Sequence, residues 1–258
     1  MRTVEILEKC YGPNAYRGLS KISHHLTELC KTLEVEVSLL EYDTRGWVKI
    51  ALSGEDEEVF SNYLEKEYGL IQNTIDHVEV GKTLRGKVID SGSVGYGLYI
   101  DLGINQPKEI DALVPLHELR VQLVKGQKIS LREIIHTFCL FDNLTLEIVP
   151  TEVDLDKSII EARLSNSQLS ILADWKETNL ERILVMGATR SQVRDSLVRT
   201  GHKRDVLRIE DMGLLESAVI CKLGTRAKGL IPILGRLLHG VSFHLFLPRV
   251  AREVYGKP

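Results

Sequence analysis

Tyr96 and Tyr99 are the side chains in this sequence that point most directly to a chemistry. They stand in the run Tyr96-Gly97-Leu98-Tyr99-Ile100-Asp101, where Leu98, Ile100 and Leu102 alternate with Gly97, Tyr99 and Asp101. That period of two marks a half-buried strand, which would hold aromatic rings at a surface. Rings held in this way can stack on nucleobases, contributing about 1–3 kcal/mol per base. Residues three apart on a regular strand face opposite sides, so a bulge at Gly97 is required to bring both tyrosines to one face. Arg85, Lys87, His117 and Arg120 flank the pair and complete a candidate RNA-contact set.

The surrounding elements would form a small barrel. Leu84, Gly86, Val88 and Ile89 begin a strand, and Asp90-Ser91-Gly92-Ser93 is turn chemistry. The tyrosine strand follows, and Ile110, Ala112 and Val114 carry a third. Pro115 ends it, with a helical turn or two over Leu116 to Val124. Ile129 to Phe138 and Leu144 to Val149 read as a fourth and fifth strand about a turn at Asp142-Asn143. Five short strands within residues 80–150 have the size of an OB-fold.

Gly81, Gly86-Lys87-Val88, the tyrosine run, Ala112-Leu113-Val114 and Glu118-Leu119 together resemble the S1-type RNA-binding domain. The resemblance implies a base-stacking platform made by the two aromatics and a histidine after the third strand. Tyr96 and Tyr99 fill the aromatic positions; Pro115 stands in the histidine's place, and His117 follows two residues later. The whole chain, and Gly201-His202 through Ile231-Pro232 above all, also resembles a family of archaeal proteins, which implies an archaeal cytoplasm. The alpha subunit of archaeal translation initiation factor two is similar in joining a barrel of this type to a helical segment and a ferredoxin-like domain.

On either side of the barrel the periodicities change. A strand over Thr3 to Leu7, closed by Tyr11-Gly12-Pro13, precedes a helix with Leu19, Ile22, Leu26, Leu29 and Leu33 on one face. Strands at 35–42 and 47–52, a helix at 55–68 and a strand available at 70–80 complete a ferredoxin-like order over residues 1–79. Residues 151–178 read as a helical linker, and 179–258 repeat the β-α-β-β-α-β order. The expected class is therefore α+β, a five-stranded OB-fold barrel flanked by two ferredoxin-like domains.

Two further clusters attract attention. Arg194, Lys203, Arg204 and Arg208, with Arg190, Arg199 and His202, could form a phosphate-binding patch. The interleaved Asp195, Asp205 and Glu210 could pair with them locally instead. Gly224, Thr225, Arg226 and Lys228 lie where a strand turns into a helix, a place where free N–H groups attract anions; Thr225 could equally be the helix N-cap.

Charge is uneven: residues 1–80 hold 8 Lys/Arg against 15 Asp/Glu, residues 81–149 hold 8 against 8, and residues 150–258 hold 17 against 13. The acidic first part argues for a protein partner, such as a ribosomal or polymerase protein or a second copy of the chain, and the basic last part for RNA. The four cysteines are too scattered for a metal site, no run of 18 apolar residues would cross a membrane, and the N-terminal residues lack a signal peptide's apolar region. A cytoplasmic protein without cofactor is expected. No nucleophile elbow, zinc-hydrolase or dinucleotide motif is present. Asp90 and Asp101 leave a metal-dependent RNA hydrolase as a minor alternative. The leading expectation is a non-catalytic RNA-binding protein of translation at the small ribosomal subunit. The alternatives are a factor touching nascent RNA and RNA polymerase, and a purely structural adaptor.

Overall fold

The computed structural model describes residues 2–12 and 15–256. Pro13, which the sequence places after the first strand, lies outside them. Arg2–Lys9 (β1), Val35–Tyr42 (β2) and Trp47–Gly54 (β3) form an antiparallel sheet in the order β1-β3-β2. Ala15–Cys30 (α1) and Glu57–Tyr68 (α2) cover one face. Ile22 and Leu26 on α1, with Phe60 and Leu64 on α2, meet Val4, Ile6, Ile50 and Leu52 from the strands. The other face carries Leu7 and Trp47, which pack with Ile71. The fourth strand expected at 70–80 is reduced to one bridge between Ile6 and Leu70.

Leu84–Ile89 (β4), Gly97–Ile104 (β5), Ile110–Pro115 (β6), Thr145–Asp154 (β7) and Ile159–Leu164 (β8) close into a barrel in the order β4-β5-β6-β8-β7. Only β6 and β8 run parallel. This is an OB-type five-stranded Greek-key barrel. Its interior is filled by Val88, Leu98, Ile100, Ala112, Val114, Leu146, Ile148, Ile160 and Ala162, the alternate residues of each strand.

Two expectations about the barrel are corrected. Leu131–Phe138 is a helix (α4), not the fourth strand. Leu131, Ile134, Ile135 and Phe138 are buried at helical spacing, and the Ser130 hydroxyl accepts from the Glu133 N–H as an N-cap. The fifth strand, β8, lies inside the stretch read as a helical linker, of which only Asn166–Glu177 (α5) is a long helix. Ile160, Ala162 and Leu164 alternate inward up to Ser165, whose hydroxyl caps α5 by accepting from Gln168 N–H. Leu116–Val124 (α3) is helical as expected.

Arg182–Met186 (β9), Val206–Asp211 (β10), Glu216–Cys221 (β11) and Ser242–Phe246 (β12) make the last sheet, ordered β10-β11-β9-β12, with Arg190–Arg199 (α6) and Ala227–Gly235 (α7) between strands. This is the ferredoxin-like order expected for the last domain. Ile183, Val185 and Val219 face Val193, Leu197 and Leu230 of α6 and α7. Leu184, Met186 and Phe246 face the opposite way, joining the barrel-side core with Trp175 and with Ala251 of Pro248–Gly256 (α8), a helix not foreseen. Cys10, Cys30, Cys139 and Cys221 are buried and unpaired.

The three parts are joined by ion pairs that water does not reach. Lys87 of β4 is fully buried, and its Nζ donates to Glu8 Oε2 of β1 and to Glu216 Oε2 of β11, each at 2.9 Å. Tyr11 donates its hydroxyl to Glu216 Oε1 at 2.6 Å. On β5, Asp101 is equally buried; it accepts from Lys9 Nζ and lies 3.0 Å from Arg45 Nη2. The β10–β11 turn inserts Leu214 and Leu215 into the N-terminal core. A Cβ at Gly213 in that turn would stand 2.0 Å from Glu216 Oε2, so any side chain there would have to displace the carboxylate that holds Lys87.

Removing one partner of a buried pair leaves the others charged and unpaired, at about 3–5 kcal/mol. Lys87→Ala is therefore expected to lower stability by that amount, measured by denaturant unfolding. Lys82→Ala, whose exposed lysine pairs with Glu79, is expected to change it by less than about 1 kcal/mol.

Candidate nucleic-acid interface

The outward face of β4, β5 and β6 is divided in two. One half carries Lys87, Asp101 and Gly103 and lies beneath the N-terminal domain. Gly103 has φ 78°, and a Cβ there would stand 2.4 Å from Ile71 Cβ. The other half carries Ile89, Tyr99 and Leu113, in register as neighbours across the three strands, and none of these is fully buried.

Tyr96 and Tyr99 meet on this open half. Their hydroxyl oxygens are 2.7 Å apart, and their rings lie edge to face with centroids 6.2 Å apart. Tyr96 is 56% exposed. The bulge expected at Gly97 is absent, since Gly97 pairs with Pro115 in the same register as Leu98 with Val114 and Tyr99 with Leu113. Tyr96 instead precedes the strand, where alternation no longer dictates its side, and its carbonyl accepts from Leu116 N–H at 2.8 Å. Gly97 has a separate reason to lack a side chain: a Cβ would stand 2.5 Å from Leu113 Cδ1.

The other expected contacts scatter. Lys87 is corrected outright, because a fully buried ammonium between two carboxylates cannot meet a phosphate. His117 is exposed on the first turn of α3, with Nε2 3.7 Å from Glu118. Arg120 turns inward along α3 and donates from Nε to the Ile129 carbonyl at 2.8 Å. Arg85 sits at the far end of β4, 3.6 Å from Glu147. It faces a cleft of about 940 Å³ where the three domains meet, as do Arg190 and Arg194.

In the basic patch the local pairing is observed. Arg190 reaches Asp211 at 2.6 Å, Arg194 reaches Asp195 at 3.4 Å and Arg208 reaches Glu210 at 2.6 Å. Lys203 and Arg204 stand exposed outside these pairs. The anion site at Gly224, Thr225, Arg226 and Lys228 is corrected too. The N-cap of α7 is Arg226, not Thr225, and the first helical N–H, of Ala227, already donates to the Glu181 carboxylate at 2.7 Å. Asp101 is likewise enclosed by Lys9 and Arg45, apart from the exposed Asp90.

Glu8, Lys9, Arg45, Asp111 and Glu216 are charged residues at the domain junctions that the sequence motifs do not single out. One signal is present: Glu8 continues the inward parity of Val4 and Ile6 on β1, and a carboxylate among core positions calls for a partner.

A closed OB-type barrel, clamped between two α/β domains with an aromatic pair on its uncovered face, defines the class of this protein. The chain belongs to the DUF2110 family: the N-terminal domain of that family matches residues 3–74, its central domain 78–176 and its C-terminal domain 180–245. The central match encloses all five barrel strands and most of α5. No curated protein matches the chain. Among solved structures it is similar to a protein from vaccinia virus (Wisconsin strain), at 20% identity over 34% of this chain and 88% of that one, with a TM-score of 0.23. It is also similar to the intact alpha subunit of aIF2 from Pyrococcus abyssi, at 10% identity over 65% of this chain and 97% of that one, with a TM-score of 0.25. Among the described residues no helix is long and apolar enough to cross a membrane.

The clamp that covers half of the face is sensitive to protons. Burial pushes the Glu8 carboxyl from 4.5 up to about 7; Lys87 pulls it down and Glu216 pushes it further up. Burial disfavours the Lys87 ammonium, but Glu216 and Glu8 outweigh it and hold the group above its ordinary range. One lysine between two carboxylates is balanced when one carboxylate carries a proton. Folded Glu8 thus binds its proton more tightly than unfolded Glu8, so this contribution to stability is full below pH 4.5 and is lost as pH rises to about 7. Its size is on the order of 3 kcal/mol. Stability followed by denaturant unfolding across that window is expected to fall more steeply in the wild type than in Glu8→Gln, which keeps an acceptor for Lys87 and does not titrate.

Proposed function

We propose that this protein is a non-catalytic RNA-binding protein of the translation machinery that takes single-stranded RNA on the uncovered half of its barrel. The observation that carries the reading is the exposed Tyr96–Tyr99 pair on the second strand of an OB-type barrel. That strand and its neighbour are where barrels of this order commonly hold oligonucleotides, and aromatic rings there stack on bases of any sequence. The N-terminal domain occupies the rest of the face, so the bound segment is short. Exposed Lys203 and Arg204 offer phosphate contacts on the C-terminal domain. The translation role, with the small ribosomal subunit as its seat, is supported by the likeness of the barrel residues to the S1-type domain. The acidic N-terminal domain suits a basic protein partner.

Tyr96→Ala with Tyr99→Ala is expected to weaken binding of a labelled single-stranded RNA by about 1–3 kcal/mol for each base that loses its stack. Affinity is expected to fall with salt at a slope of about −0.7 per phosphate contacted. Fluorescence anisotropy reads both, and unchanged binding by the double variant would remove the stacking mechanism.

Sedimentation of native extract through a sucrose gradient tests the setting. Co-migration with the small subunit is expected; a position at the top, with and without RNase, would overturn ribosome association and turn attention to polymerase subunits.

A further inference from the structure

Beside the tyrosine pair stands a carboxylate that the clamp only half uses. Asp111 lies on β6, two residues from Leu113, which is directly opposite Tyr99. Tyr99, Leu113 and Asp111 belong to the same outward set, since their neighbours Leu98, Ile100, Ala112 and Val114 all point into the barrel. Tyr99 and Asp111 are therefore diagonal neighbours, with backbones about 7–8 Å apart, within reach of one base stacked on the ring. Asp111 Oδ1 accepts from Arg45 Nη2 at 2.6 Å, while Oδ2 has no hydrogen-bond partner among the described residues. The side chain is a quarter exposed. An ionised carboxylate only accepts, with about four lone-pair directions, so Arg45 leaves room for further donors on both oxygens.

We propose that Tyr99 and Asp111 form a base-selective subsite for an unpaired guanine in RNA. The inference rests on the RNA-binding reading above and names which base that site prefers. The reason is the donor pattern of the bases. Guanine presents two adjacent N–H groups, N1–H and the exocyclic amine, on its pairing edge, and one carboxylate can take both. Adenine and cytosine each present a single amine beside an acceptor, and uracil presents one N–H between two carbonyls. Those bases set a lone pair against the Asp111 charge. Leu113 lies directly across from Tyr99 on the neighbouring strand, and the Tyr96 ring borders Tyr99 edge to face.

Binding of labelled uridine oligomers that carry one guanosine, adenosine, cytidine or inosine in the middle decides the matter. The guanosine oligomer is expected to bind about tenfold more tightly than the unsubstituted one. Inosine lacks the exocyclic amine and is expected to fall between the two. Asp111→Asn, whose amide would face guanine with donors of its own, is expected to erase the preference, bringing the guanosine and uridine oligomers to the same affinity. The inosine comparison uses the unaltered protein, so it stands whatever the variant does to folding. Equal affinity for all the oligomers would overturn the guanine subsite and leave RNA binding standing. A guanine preference that survives in folded Asp111→Asn would overturn the role of Asp111. Failure of every oligomer to bind would overturn the subsite and the RNA-binding reading together.

Discussion

The arrangement of this protein depends on one ammonium held between two carboxylates in the absence of water. Lys87, Glu8 and Glu216 come from three different domains, and none of them could be buried without the others. Moving single charges of this kind out of water costs several kcal/mol each, and their mutual attraction repays it only when the geometry is good. The cost makes the contact selective: domains docked in another register would strand the charges. A second set, Asp101 with Lys9 and Arg45, repeats the device along the neighbouring strand. Together they hold the barrel against the N-terminal sheet while Leu214 and Leu215 pin the C-terminal turn into the same core.

That docking decides how much of the barrel is available. A free barrel of this order would expose the whole outer face of its second and third strands. Here the part around Asp101 and Gly103 is covered, with Ile71 packed so closely on Gly103 that no side chain fits between. The end with Tyr96, Tyr99 and Leu113 stays open. The uncovered face is thereby narrowed to a short platform, bordered on one side by Asp111 and Arg45. The groups that join the domains and the exposed aromatic pair share that edge.

Much is legible in the order of residues. Short-range periodicity identifies the three strands and two helices of the N-terminal domain, the ferredoxin-like order of the C-terminal domain and the first three barrel strands, because burial on one side of a strand or helix imposes its period directly on the sequence. Strand and helix are confused at 129–138 and 151–164, where apolar content is weighed without its start signals. Ser130 with Glu133, and Ser165 with Gln168, mark the beginnings of α4 and α5, and each pair of residues is there to be read. The tyrosine pair is legible as chemistry, though not the way it assembles: Tyr96 escapes alternation by lying before the strand.

What the sequence by itself determined is therefore the class of each segment, since turn chemistry, capping and hydrophobic period act over a few residues. Only the tertiary structure decided which charges are enclosed and paired and which stand in water. Lys87 and Lys203 look alike in a sequence; one is enclosed by carboxylates 79 and 129 residues away, and the other stands in water. The helix start at Ala227 looks open until Glu181, 46 residues earlier, is found seated on it. Electrostatic partnership is set by distance in space and by exclusion of water, and neither is encoded by neighbours along the chain.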